Sequence, residues 1–257
     1  MRIRRRTTVV VALVTAGALV VAGVASAITS STFTFSFSPA KVPKKTYKAG
    51  ALTTNLVTSY THPGNAIPGG AVDRTQIYLD KNWKINPKAA SQCAANKLSN
   101  QTMAGAMKAC KKALVGTGVA TATANGAFTI RGCVLLFNGK PKGGNPTLQV
   151  FTRVQASNPS VMNCSNPANN TQGNATILLN GVLKPASSPY GKVLDVNHIT
   201  QSATFPLEVF KTTIQKGNYI SARCKASNKL WNAKTIWTYN NGAKRTVKRT
   251  QACKVGS

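Results

Sequence analysis

Aromatic and hydroxyl residues alternate strictly from Ser31 to Ser38, with Phe33, Phe35 and Phe37 separated by Thr and Ser. A period of two over this length predicts a half-buried strand with the three rings on its covered face, ended by Pro39. The densest β-type pattern lies between Val115 and Gln155. Three runs (Gly118 to Ala124, Ala127 to Phe137, Thr147 to Gln155) are divided by Asn125-Gly126 and by a Gly/Pro/Asn stretch from Asn138 to Pro146 that reads as a loop. Asn-Gly between β-prone runs predicts a hairpin, because a type I′ turn needs positive φ at both central residues. Further strands are expected from Ala51 to Tyr60, Arg74 to Ile85, Thr176 to Lys184 and Phe205 to Gln215. A closing meander follows over Tyr219 to Lys225, Trp231 to Tyr239 and Ala243 to Cys253, with Asn240-Asn241-Gly242 as its second hairpin turn. Trp231, Ala233, Thr235, Trp237 and Tyr239 share one face of the middle strand.

One stretch has helical spacing. From Ser99 to Lys112, capped by Ser99 or Asn100, the residues Met103, Ala104, Ala106, Met107, Cys110 and Leu114 fall at helical spacing, while Lys108, Lys111 and Lys112 suit the C-terminal end of the dipole and Gly116 can stop the helix. The count is about ten strands and one short helix, without a repeated unit or a long linker, which fits a single all-β domain. A two-sheet β-sandwich, with immunoglobulin-like topology as one form of it, is expected in preference to a barrel.

Met1 to Ala27 stands apart from this pattern. Arg2, Arg4, Arg5 and Arg6 precede an uncharged apolar run from Val9 to Val24, and Ala25-Ser26-Ala27 has the small-x-small form of a cleavage site. This is the layout of a secretory signal peptide, leaving residues 28–257 as the exported domain; an uncleaved anchor is the alternative. Export changes the meaning of the six cysteines. Cys93, Cys110, Cys133, Cys164, Cys224 and Cys253 contain no CxxC pair and predict three disulfides, with chain proximity favouring 93–110, 133–164 and 224–253. Asn100, Asn163, Asn169 and Asn174 fit the glycosylation pattern in a host that uses it.

Charge changes the picture most. The chain carries 33 Lys+Arg against 4 Asp+Glu; without the four leader arginines the balance is 29 against 4, or +25. Such a field concentrates polyanions: anionic cell-wall polymers, acidic glycans and, non-specifically, nucleic acid. Two clusters are candidate binding residues. The first is Lys41, Lys44, Lys45 and Lys48. The second is Lys244, Arg245, Lys248 and Arg249 on the last strand, where such charges also protect an edge strand from pairing with another chain. Trp231 and Trp237, with Tyr239, offer an alternative aromatic site for a glycan.

Candidate chemistry is sparse. Asp73 and Asp80 flank one strand, where neutralising nearby cations is the expected role of each, and His62 lies in the preceding loop. Asp195 and His198 form an Asp-x-x-His that reads as a turn. No GxSxG, HExxH, phosphate loop or metal cluster accompanies them, so no catalytic residue, metal or cofactor is assigned and hydrolysis is the least favoured reading.

The segments FSFSP, DRTQIYLDKNWKIN, ALVGTG after a Cys-bounded helix, GCVLLFNGKP, YGKVLDV and YISARCK together resemble a family of uncharacterised secreted proteins from actinobacteria. That resemblance implies export from a Gram-positive cell, which would leave the glycosylation sites unused, and brings no activity with it. The expectation is therefore a secreted or envelope-associated, non-enzymatic domain that binds anionic polymers.

Overall fold

The computed structural model describes residues 28–60, 72–124, 128–155, 164, 167, 175–197, 207–225, 229–239 and 242–256. The leader, the Asn125-Gly126 turn, His62, His198, Asn163, Asn169 and Asn174 lie outside these residues. In chain order the strands are β1 (Ile28–Ser38), β2 (Lys41–Val42), β3 (Lys48–Ala49), β4 (Ala51–Tyr60), β5 (Val72–Asp80), β6 (Trp83–Ile85), β7 (Leu114–Ala124) and β8 (Phe128–Lys142). There follow β9 (Asn145–Gln155), β10 (Ala175–Pro185), β11 (Tyr190–Asn197), β12 (Leu207–Ile214), β13 (Ile220–Ala222), β14 (Leu230–Tyr239), β15 (Lys244–Ala252) and β16 (Lys254–Val255). Among the described residues the one α-helix, α1 (Met103–Cys110), precedes β7.

Eleven strands form one sheet in the order β1-β4-β12-β7-β8-β9-β10-β11-β5-β14-β15. The all-β class holds, but the two-sheet sandwich does not: this sheet curls until its first and last strands meet, giving a nearly closed barrel. Every neighbouring pair is antiparallel. An odd number of antiparallel strands leaves the two terminal strands running the same way, so closure has to bring β1 and β15 together in parallel. Among the described residues no ladder joins them. Instead the Gln251 side chain mimics a peptide: its Nε2 donates to the Phe37 carbonyl at 3.0 Å, and the Phe37 N–H donates to its Oε1 at 2.7 Å. Toward the other end of the seam, the Ser31 and Tyr239 hydroxyls share a hydrogen bond of 3.1 Å.

Inside and outside follow from the period of two. Phe33 and Phe37 on β1 and Leu52 and Leu56 on β4 are buried inward, while Thr32, Thr34, Ser36 and Ser38 face water. The barrel is thus apolar within and polar without, the reverse of a membrane porin. One end is plugged. Phe35, Phe37, Trp83 and Trp231 meet there at centroid distances of 5.3–6.1 Å, with Trp231 Nε1 donating to the Arg223 carbonyl. The small sheet β3-β13-β6 covers this cluster, and the Cys224–Cys253 disulfide pins it.

Strand β8 is buried on both faces. Val134 and Leu136 point inward, whereas Cys133, Leu135 and Phe137 pack under Leu98, Met103 and Ala106 of the segment carrying α1. Cys93–Cys110 ties that segment together, and Cys133–Cys164 adds a second tether, as chain proximity suggested. The helix is shorter than expected: Thr102, not Ser99 or Asn100, caps it by accepting from the Gly105 N–H, and Asn100 has φ of 59°. The expected loop from Asn138 to Pro146 is also corrected. It continues the β8–β9 ladder to Lys142 and Asn145, because Gly143 and Gly144 take the positive φ of a two-residue turn. Asn138 is fully buried, its Nδ2 reaching the Pro87, Ala90 and Ser91 carbonyls and its Oδ1 accepting from Tyr219.

The seam yields a direct test. Gln251→Met keeps the length of the side chain but strands one N–H and one C=O of Phe37. It is expected to cost about 1–3 kcal/mol in denaturant unfolding and to speed amide exchange along β1 more than along β8.

Candidate functional site

The two basic clusters, far apart in sequence, are joined by the fold. Strand β15 runs past Cys253 directly into β16, and β16 pairs in parallel with β2, setting Lys254 opposite Lys41. Lys41, Lys44, Lys45, Lys48 and Lys254 are exposed, as are Lys244, Arg245, Lys248 and Arg249 along the seam. The result is one basic surface that follows the seam and spreads over the plugged end. Sequence spacing left out four of its members, Lys254 and three that meet at one place. Tyr47 is exposed, with the Arg223 guanidinium 4.9 Å and the Lys84 Nζ 6.0 Å from its ring centroid. Lys84 and Arg223 reach this place through the β13–β6 pairing, a long-range contact that no local pattern announces.

Trp231 and Trp237 are not part of that surface. They are 0% and 2% exposed, and Tyr239 is equally buried. Their shared face was read correctly, but it is the inward face of β14, so these rings are core and the exposed-aromatic arrangement is withdrawn. Burial also raises the Tyr239 phenol above its ordinary range, partly offset by its bond to Ser31. On the outer face, Lys234 Nζ sits 3.9 Å from the Tyr78 ring centroid, and burial followed by repulsion from Lys248 lowers its pKa.

The acids have structural partners. Asp195 lies within β11 rather than in a turn, and its oxygens accept from Arg74 Nε and Nη2, both at 2.6 Å, and from Lys184 Nζ at 2.7 Å. The hydrogen bond from Arg74 is the main cause that holds this carboxyl below its usual pKa, burial opposing and Lys184 helping. Asp80 departs from the expected pairing with lysine. Buried at 2% exposure, it accepts from the backbone and side-chain N–H groups of Asn82 and Asn232, tying the turn after β5 to β14. Asp73 is exposed. Glu208, which the sequence patterns did not single out, faces the barrel interior.

That interior is not completely filled. An apolar cavity of about 150 Å³ lies along it, walled by Leu56, Ile77, Leu136, Val150, Leu179 and Phe210 among others. Part of the room comes from β7, whose wall positions opposite Gly132 and Ile130 are only Ala120 and Ala122; Gly116 and Gly118 instead lie tight against the β12 backbone. At the roughly 24 cal/mol per Å³ that cavities cost in protein cores, 150 Å³ forgoes about 3–4 kcal/mol. A second unmet demand lies in the wall. The Thr54 and Thr212 hydroxyls satisfy each other at 3.0 Å, whereas Thr152 Oγ1 is buried without a partner.

Fold and surface together define a class: a water-facing basic β-barrel with an apolar interior, stapled by three disulfides that suit an oxidising extracellular setting. No protein-family model, curated protein or solved structure matches the chain. Among the described residues no helix is long and apolar enough to cross a membrane.

The Asp195 cluster sets an expectation for pH. A carboxyl whose folded pKa is depressed stabilises fully above its unfolded value and loses that contribution as pH falls through the folded one. The melting temperature should therefore drop below about pH 4. Asp195→Asn should cost about 1–2 kcal/mol at neutral pH, the low end for a buried pair because Arg74 and Lys184 reach solvent. Thermal melts from pH 7 to 2 should show a flatter acid limb for this variant.

Proposed function

We propose that this protein is a secreted, non-enzymatic component of the cell envelope, held to anionic wall polymers by its basic surface. The observation that carries the reading is the β16–β2 pairing, which merges two clusters of cations into one surface beside Lys254. Of the four carboxylates of the sequence Asp73 alone is exposed, and the other three give that surface little competition. Asp195 is consumed by Arg74 and Lys184, Asp80 is buried among asparagines, and Glu208 faces inward.

The mechanism is many weak contacts, each releasing a counterion from the polymer, with no requirement for a shaped pocket. Lysine suits such work because its ammonium is a mobile point charge and imposes no planar geometry on its partner. The aromatic member, Tyr47 between Arg223 and Lys84, would add stacking against a sugar ring within the same surface. Acidic glycans and polyphosphate-type polymers are thus the partners this surface suits, and nucleic acid would be held only non-specifically.

Co-sedimentation with isolated cell walls tests this. Binding should need the anionic polymer and fall steeply with salt. Converting Lys41, Lys44, Lys45 and Lys48 to Gln should reduce the slope of log K against log salt by about 3, with melting temperature unchanged. Binding that persists in high salt, or on walls stripped of anionic polymer, would refute the electrostatic reading.

A further inference from the structure

We propose that the barrel interior is a binding site for a small, uncharged, mainly hydrocarbon molecule, one or two rings or a short alkyl segment in size, taken up against the stretch of wall that carries Ala120, Ala122 and the Thr152 hydroxyl. The strand number makes room for it. A barrel of about eight strands is filled by its own side chains or holds one small ligand, and the enclosed width grows with each added strand. Barrels of eleven strands can hold a central helix; among the described residues none enters this one. Large inward side chains crowd the plugged end, whereas β7 gives the cavity wall only the short side chains of Ala120 and Ala122 beside Thr121.

The wall states the chemistry of the occupant. It is drawn from ten strands (β4 to β12 and β14), so the cavity lies within the barrel and is not a groove on its surface. Its side chains are almost entirely aliphatic or aromatic. The polar exceptions are threonines and Glu208. Thr152 is 5% exposed, and its Oγ1 lacks a partner while sitting in the cavity wall, so it can offer one hydrogen bond to a hydroxyl or carbonyl oxygen. The described lining residues include no Lys, Arg or His to draw an anionic head group inside. A neutral molecule with at most one polar atom meets all of these conditions. This site is independent of the exterior basic surface: the ligand faces no lysine inside, and salt should not weaken its binding.

The test is fluorescence titration of the purified protein with N-phenyl-1-naphthylamine, an uncharged probe that brightens in apolar surroundings, in high salt to silence the surface charges. One-to-one saturable binding is expected. Ala120→Leu places a branched side chain in the cavity and should weaken binding by about tenfold or more while leaving the melting temperature unchanged or raised. Thr152→Leu adds bulk to the wall two strands away and provides a second filling variant should the first fail to fold; Lys192→Glu on the exterior should bind as wild type. Absence of saturable binding, as when a segment of this chain already occupies the space, overturns the proposal. So does equal binding by wild type and the folded filling variants.

Discussion

Two hydrogen bonds between the amide of Gln251 and the peptide of Phe37 hold together what the sheet ladder leaves apart. Ten strand pairs are made by backbone ladders, but the eleventh contact, β1 with β15, depends on a side chain that imitates a backbone. Closure keeps Phe33, Phe37, Trp231 and Trp237 out of water, and it encloses the cavity that an open sheet would lose to solvent. It also fixes where the charges lie. Because β15 is the seam strand, its cations can remain hydrated next to a sheet that is otherwise fully paired.

Much of this could be read from the chain. The alternation of Phe33, Phe35 and Phe37 gave both a strand and its buried face. The cysteine spacing fixed three local staples, and the inward set Trp231, Ala233, Thr235, Trp237 and Tyr239 was visible as a period of two. What periodicity cannot carry is which strand lies beside which. The order β11-β5-β14 brings together segments separated by more than a hundred residues, and a period of two is the same in a sandwich and in a barrel. The choice between those two was therefore decided by register and closure, quantities that exist only between strands. For the same reason the tryptophans could be assigned to one face without revealing that the face was the inside.

The candidate surface shows the same division. Lys41 to Lys48 and Lys244 to Arg249 stand out as clusters in the sequence, but their union through Lys254 requires the parallel β16–β2 contact, and Lys84 and Arg223 arrive beside Tyr47 only through β13. The interior was harder still to read. Ala120 and Ala122 look like ordinary weak strand residues until their neighbours are known. Inside a barrel they become a thin wall, and the absence of side-chain volume is what creates space. Exterior and interior thus carry different chemistries, a hydrated one rich in lysine and a mainly apolar one.

The seam has a consequence for how the chain reaches this state. Phe37 and Gln251 are 214 residues apart in sequence, so their contact carries nearly the greatest loop-closure cost the molecule has, and it cannot reward folding until the strands between them are ordered. The barrel must therefore pass through an open sheet with two free edges, the state in which a β protein is most exposed to pairing with its neighbours. Lys244, Arg245, Lys248 and Arg249 lie along one of those edges, where mutual repulsion keeps two unfinished molecules from joining there. The residues that serve the finished protein as part of a cationic surface also act earlier, as a guard on the unclosed edge.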